Sequence, residues 1–159
     1  MGGPLTRRQV LAGTGVLVLA AALAGPAAGG SAEVTRGGFH AFAAGAGMGI
    51  SGHAQMVRTA DGRTFVSVHV TGLAPNTTYG AHVHKAACGT GDADGHYQYA
   101  TGAGPDYVNA VNEIWPGFTT NADGIGNGKA WNEGTAGAAA VAVVVHAPGG
   151  AKIACADLE

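Results

Sequence analysis

The sequence predicts an all-β domain, a Greek-key β-barrel or sandwich of about eight antiparallel strands, immunoglobulin-like in architecture. Three observations carry this reading. Apolar and polar residues alternate with a period of two, most clearly from Arg63 to Thr71. Turn signals recur at short intervals, and 29 of the 159 residues are glycine. Beyond residue 32, no useful length of chain shows the 3.6-residue period of an amphipathic helix.

The elements follow in order. Phe39 to Ala44 and Ile50 to Arg58 read as strands, broken by Gly45-Ala46-Gly47. Asp61-Gly62 is a hairpin turn signal. Arg63 to Thr71 is the next strand, with Val66, Val68 and Val70 on the inner face and Phe65, Ser67 and His69 on the other. Ala74-Pro75-Asn76 makes a turn into the strand Thr78 to Lys85. From Ala86 to Pro116 the periodicity vanishes. A loop that long is more than a connector, and such loops tend to carry function. Phe118 to Thr120 opens another strand, followed by a turn at Ala122-Asp123-Gly124. Gly126 to Trp131, Ala138 to Val145 and Lys152 to Ala156 complete the set.

Residues 1–32 read as an export signal rather than as part of this domain. Thr6-Arg7-Arg8-Gln9-Val10-Leu11 is a twin-arginine pattern, and an apolar segment, Val10 to Ala24, follows it. Small residues from Pro26 to Ala32 then predict cleavage after Ala28 or Ala32. The alternative is an uncleaved membrane anchor, but the apolar run is short and interrupted by glycine. The expected product is one domain over 33–159, secreted or held in the cell envelope of a bacterium, with no membrane attachment after cleavage. In that setting the acceptor pattern Asn76-Thr77-Thr78 has no expected role.

The mature segment holds six Lys and Arg against ten Asp and Glu, a net charge of −4 with histidine neutral. It has no basic run and no basic patch interleaved with aromatics, which excludes the usual nucleic-acid footprint. Its two cysteines, Cys88 and Cys155, meet an oxidising compartment after export, so a disulfide is expected. A pair of thiolate metal ligands is the competing reading, weakened by the absence of a Cys-x-x-Cys spacing.

The segment His82-Val83-His84 carries the strongest chemical signal. On a strand, His82 and His84 share one face and Val83 takes the other. Two imidazoles side by side on a rigid strand make half of a metal site. His96 follows a Gly/Asp-rich loop, and His146 ends an apolar strand, so both are placed to supply the rest. His40, His53 and His69 read more simply as exposed strand positions.

The order of these pieces resembles the copper–zinc superoxide dismutase family. The matching segments are Gly80-Ala81-His82-Val83-His84, Cys88, Gly95-His96-Tyr97, Thr119 to Gly124, Val144-Val145-His146 and Lys152-Ile153-Ala154-Cys155, spanning about residues 34 to 157. No single piece is diagnostic; the joint order is specific. The resemblance implies a Greek-key barrel with copper bound by His82, His84, His96 and His146. It also implies dismutation of superoxide to dioxygen and hydrogen peroxide by alternating redox, an antioxidant role, with His96 as the bridging histidine that handles a proton.

The departures from that family point to its copper-only, zinc-lacking bacterial members. The family binds zinc through the bridging histidine, two more histidines and an aspartate, yet no histidine occurs between His96 and His146. Only Asp106, Glu113 and His96 could serve, and a closed structural zinc site takes four protein ligands. Zinc is therefore predicted to be absent. Copper-only members keep an acidic residue near the bridging histidine, and Glu113 is the candidate to hold the outer nitrogen of His96. The residue before His96 also differs from the family's Gly-Pro-His. The family's long charged loop is reduced to Ala147-Pro148-Gly149-Gly150-Ala151, so the copper should be more open to solvent. Its active-site arginine corresponds to Lys152, which keeps the positive charge but loses the planar fork of donors. An acidic domain steers an anion poorly, which also admits a copper-binding or copper-buffering protein with little activity. The sequence specifies no oligomeric state.

Overall fold

A computed structural model describes residues 1–3 and 30–159. The twin-arginine pattern and its apolar segment lie outside the described residues. Two antiparallel sheets pack face to face. One holds β1 (Glu33–Gly38), β3 (Ser51–Arg58), β4 (Arg63–Thr71) and β7 (Gly126–Glu133), in the order β1-β3-β4-β7. The other holds β2 (His40–Ala41), β5 (Thr78–His84), β6 (Phe118–Thr119), β8 (Ala142–His146) and β9 (Lys152–Asp157), in the order β2-β9-β8-β5-β6. The architecture is thus the sandwich of the expected pair, not a closed barrel.

Strand β4 shows why the chain folds this way. Its residues alternate between half-buried and buried along all nine positions. Val66, Val68 and Val70 enter the core, where they meet Ala54 and Met56 of β3 and Val83, Val143, Val145 and Ile153 from the facing sheet. The hairpin into β4 turns at Asp61-Gly62 as predicted, with Gly62 at φ +87° and its N–H on the Thr59 carbonyl. β8 is buried at every position. Val143 and Val145 belong to the main core, while Ala142 and Val144 join Cys88, Ala93 and Cys155 in a second cluster outside the five-stranded sheet. That explains its continuous apolar run. Where the two sheets meet at one corner, Arg36 and Glu159 exchange backbone hydrogen bonds. A Cβ on Gly37 would there fall on the Asp157 carbonyl, so only glycine fits.

Most strand ends fall within two residues of expectation, and three elements differ by more. Phe39 to Ala44 is not one strand: only His40–Ala41 pairs, and Ala43–Gly45 turns as a short 3-10 helix while the chain crosses between sheets. Glu33–Gly38 is a strand that lacked a readable pattern, because as an edge strand it keeps most residues exposed. The strand predicted from Ala138 starts at Ala142, since Gly137 to Ala140 closes a turn through the Ala140 N–H and the Gly137 carbonyl.

Candidate metal centre

The site lies on the outer face of the five-stranded sheet. His82 and His84 of β5 stand opposite Val144 and Ala142 of β8, and His146 stands opposite Gly80. Val83 between the two histidines points into the core. The two-residue period of β5 puts two imidazoles on one face, and its register with β8 adds the third.

The fourth arrives from the long loop 86–116, which pairs at Tyr97 and Ile114 with β5 beyond its short contact with β6. The Tyr97 N–H donates to the Val83 carbonyl at 2.8 Å, and the Val83 N–H donates to the Ile114 carbonyl at 3.0 Å. His96 and Glu113 precede those two contacts, which brings residues 17 positions apart into one place. Side-chain amides fix the rest of the loop. Asn132 of β7 donates to the carbonyls of Ala110 and Glu113, both at 2.9 Å. Asn112 bonds both backbone groups of Ala100.

The outcome is a cluster of His82, His84, His96 and His146 in which one nitrogen from each ring lies within 4.8 Å of all the others. Among the described residues it is the one group of three or more His, Cys, Asp or Glu side chains so arranged. Three of the rings have Nδ1 tied to an oxygen. His84 Nδ1 donates to the carbonyls of Ala93 and Asp94 at 3.3 and 3.1 Å, and His146 Nδ1 to that of Gly150 at 3.1 Å. His96 Nδ1 donates to Glu113 Oε2 at 2.6 Å. Each tie fixes the tautomer and leaves Nε2 as a lone-pair donor. Nε2 of His84 lies 3.3 Å from Nε2 of His146. His82 is the exception: its Nδ1 is buried without a hydrogen-bond partner. An orphaned buried nitrogen is costly unless something binds it. A cation at the centre of the cluster would, so the donor set fits a metal ion.

The protonation states agree. Burial, together with the charges of the other imidazoles, pushes His82 down to about 3 and His84 to about 4. Burial also lowers His146. His82, His84 and His146 are therefore neutral at physiological pH, the state a metal requires.

Glu113 is 1% exposed and fully satisfied. Its Oε2 accepts from His96 and from Trp115 Nε1 at 2.8 Å, and its Oε1 accepts from Gln98 Nε2 at 2.9 Å. Burial alone would raise its carboxyl, but the hydrogen bonds from Gln98, Trp115 and His96 outweigh it and hold the group below its ordinary value. Asp106, the other acidic candidate in the loop, is exposed.

Lys152 occupies an unexpected setting. Its Nζ donates to the carbonyls of Asp92 and Asp94 at 2.7 and 2.6 Å. These belong to a run of four left-handed residues, Gly91, Asp92, Ala93 and Asp94, at φ +54°, +52°, +64° and +52°. Each non-glycine residue there costs about 1–2 kcal/mol. The turn aims three successive carbonyls at Lys152 and at His84, and the Asp94 carbonyl serves both. Burial of Ala93 in the second cluster and the Cys88–Cys155 disulfide hold it in place. The cysteines are therefore bonded to each other and are not metal ligands.

All four predicted histidines meet, and Glu113 meets His96. Gln98, Trp115, Asn132 and the left-handed carbonyls went unnoticed in the sequence. The Gly/Asp content of 91–95 was the one available signal, since those residue types tolerate positive φ. Among the described residues no helix is long and apolar enough to cross a membrane. The chain gives no match to protein-family models and none to curated proteins.

Proposed function

We propose that the chain is an exported, copper-dependent superoxide dismutase that works without zinc. The observation that carries this reading is the four-histidine cluster with the outer nitrogen of one ring held by a buried carboxylate. Four imidazoles suit copper in both of its common oxidation states. His82 through Nδ1, and His84, His96 and His146 through Nε2, are the atoms that would hold it.

Copper held there would supply one-electron redox chemistry, by which two superoxide ions and two protons become dioxygen and hydrogen peroxide. The chain's own residues do the rest. Glu113 stays ionised at neutral pH and keeps a proton on Nδ1 of His96. Nε2 of His96 is then the atom placed to hold a proton for the substrate. Trp115 stands edge-on to His82 with ring centroids 5.5 Å apart and narrows the approach on that side. On the other, residues 147–151 close into a tight turn, with Ala147 and Ala151 bonded, and leave the site without the cover of a long loop. Lys152 contributes a positive charge that favours an anion.

Replacing Glu113 by Ala separates these roles. The rate of superoxide removal is expected to fall about 10- to 100-fold, with a smaller loss of copper affinity. Copper binding measured by competition with a chelator, beside turnover of the loaded variant, checks this. Equal turnover in variant and wild type would remove Glu113 from the mechanism.

A second reading, a copper-binding or copper-buffering protein with little turnover, is favoured by one observation. The ammonium of Lys152 is committed to two backbone carbonyls. If that reading holds, His96→Ala leaves the slow turnover of the loaded protein unchanged; a dismutase loses it.

A further inference from the structure

The outer face of the four-stranded sheet carries another pair of imidazoles. His53 of β3 and His69 of β4 are register partners, so their side chains leave the same face from opposed positions. Such positions have β-carbons about 4.5–5.5 Å apart. The ring centroids are 5.6 Å apart and the planes are inclined by 35°. Inside the four-histidine cluster, His84 and His146, also on adjacent strands, are 5.5 Å apart, and His96 and His146 are 5.7 Å apart. The outer pair of rings thus has the spacing of rings in the inner cluster.

The neighbouring strand sets its tautomer. Asn127 of β7 is the register partner of His69 on the other side. Its Oδ1 accepts a hydrogen bond from His69 Nδ1 at 2.9 Å. That leaves Nε2 of His69 as a lone-pair donor, the same arrangement that orients His84, His96 and His146. His53 is exposed.

The surrounding charges select the ligand. The adjacent row on this face runs Arg36, Gln55, Ser67 and Lys129 across the four strands. No carboxylate stands in either row, so a hard cation such as Mg²⁺ or Ca²⁺ has no oxygen cage. A borderline metal that bonds strongly to imidazole nitrogen tolerates such a setting, and Cu(II) leads that order, with Zn(II) behind it.

We propose that His53 and His69 form a second, solvent-exposed site for a divalent transition metal, Cu(II) above Zn(II), with Asn127 as a positioning residue. Two protein nitrogens bind the ion and water fills its remaining positions. The site is weaker and faster to exchange than the four-histidine cluster, and it does not depend on the activity proposed for that cluster.

Equilibrium dialysis of the protein against Cu(II) sulfate tests this. Wild type is expected to take up two ions per chain in two saturable events. His53→Ala and His69→Ala each remove the weaker event and keep the tighter one. His84→Ala does the reverse. Asn127→Ala weakens the outer event by about tenfold without abolishing it. All three outer substitutions are on the solvent face, so an unchanged thermal midpoint shows that the fold is intact. A single event in wild type, or a second event that survives both His53→Ala and His69→Ala, would overturn the assignment.

Discussion

Acidification below about pH 6.5 is expected to destabilise the metal-free protein steeply. Burial and neighbouring imidazoles hold His82 at about 3 and His84 at about 4, against an ordinary 6.5. Burial lowers His146 in the same direction. The unfolded chain regains ordinary values and takes up protons that the folded chain refuses. Stability therefore falls as pH falls, starting at the unfolded value and continuing until the folded groups themselves titrate. One proton is worth about 1.4 kcal/mol per pH unit, so His82 and His84 together give a slope of about 2–3 kcal/mol per unit between about pH 6 and 4. Glu113 adds a loss at still lower pH, because its depressed carboxyl contributes stability only while it is ionised. A bound metal needs the same neutral rings and moves the whole loss to lower pH. Urea unfolding between pH 7.5 and 4.5, with and without chelator, measures both. A flat profile in chelator would contradict the burial of neutral His82 and His84.

Loss of the Cys88–Cys155 disulfide is expected to cost about 4 kcal/mol, a large fraction of the stability of a domain this size. The bond closes a segment 67 residues long, and both cysteines are buried. It also reaches the four-histidine cluster. Cys88 anchors the loop just before the left-handed turn, and its N–H donates to Asp157 of β9 at 2.7 Å. Release of that anchor frees the strained turn to relax, which takes the Ala93 and Asp94 carbonyls away from His84. Reduction, or Cys88→Ser with Cys155→Ser, should therefore lower both the urea midpoint and the metal affinity. An unchanged midpoint would mean that the core alone holds the loop; an unchanged affinity would mean that His84 needs no outer partner.

Much of this was readable because strand periodicity is a strong local code. The alternation in β4 and the His-x-His of β5 follow from it, and the apolar run ending at His146 marks a strand buried on both faces. The face of His82 and His84 needs no more than the two-residue period. What was not readable depends on contacts distant in sequence. Nothing near Asn132 announces that its side chain holds the loop carrying Glu113. Gln98 and Trp115 gain their meaning only when the Ala86–Pro116 loop lays Tyr97 and Ile114 along Val83. The edge strand Glu33–Gly38 was invisible for a related reason: a strand that buries little shows no alternation. Lys152 matched its motif, but the backbone oxygens that hold it come from a left-handed turn that composition only hints at.

The most direct test of the proposed activity is the rate of superoxide disappearance by pulse radiolysis, with the protein loaded with one equivalent of copper and no zinc. A second-order rate far above that of the copper-free protein, lost in His96→Ala, is the expected result. A rate near background with copper demonstrably bound at His82, His84, His96 and His146 would contradict a dismutase and leave a copper-binding protein.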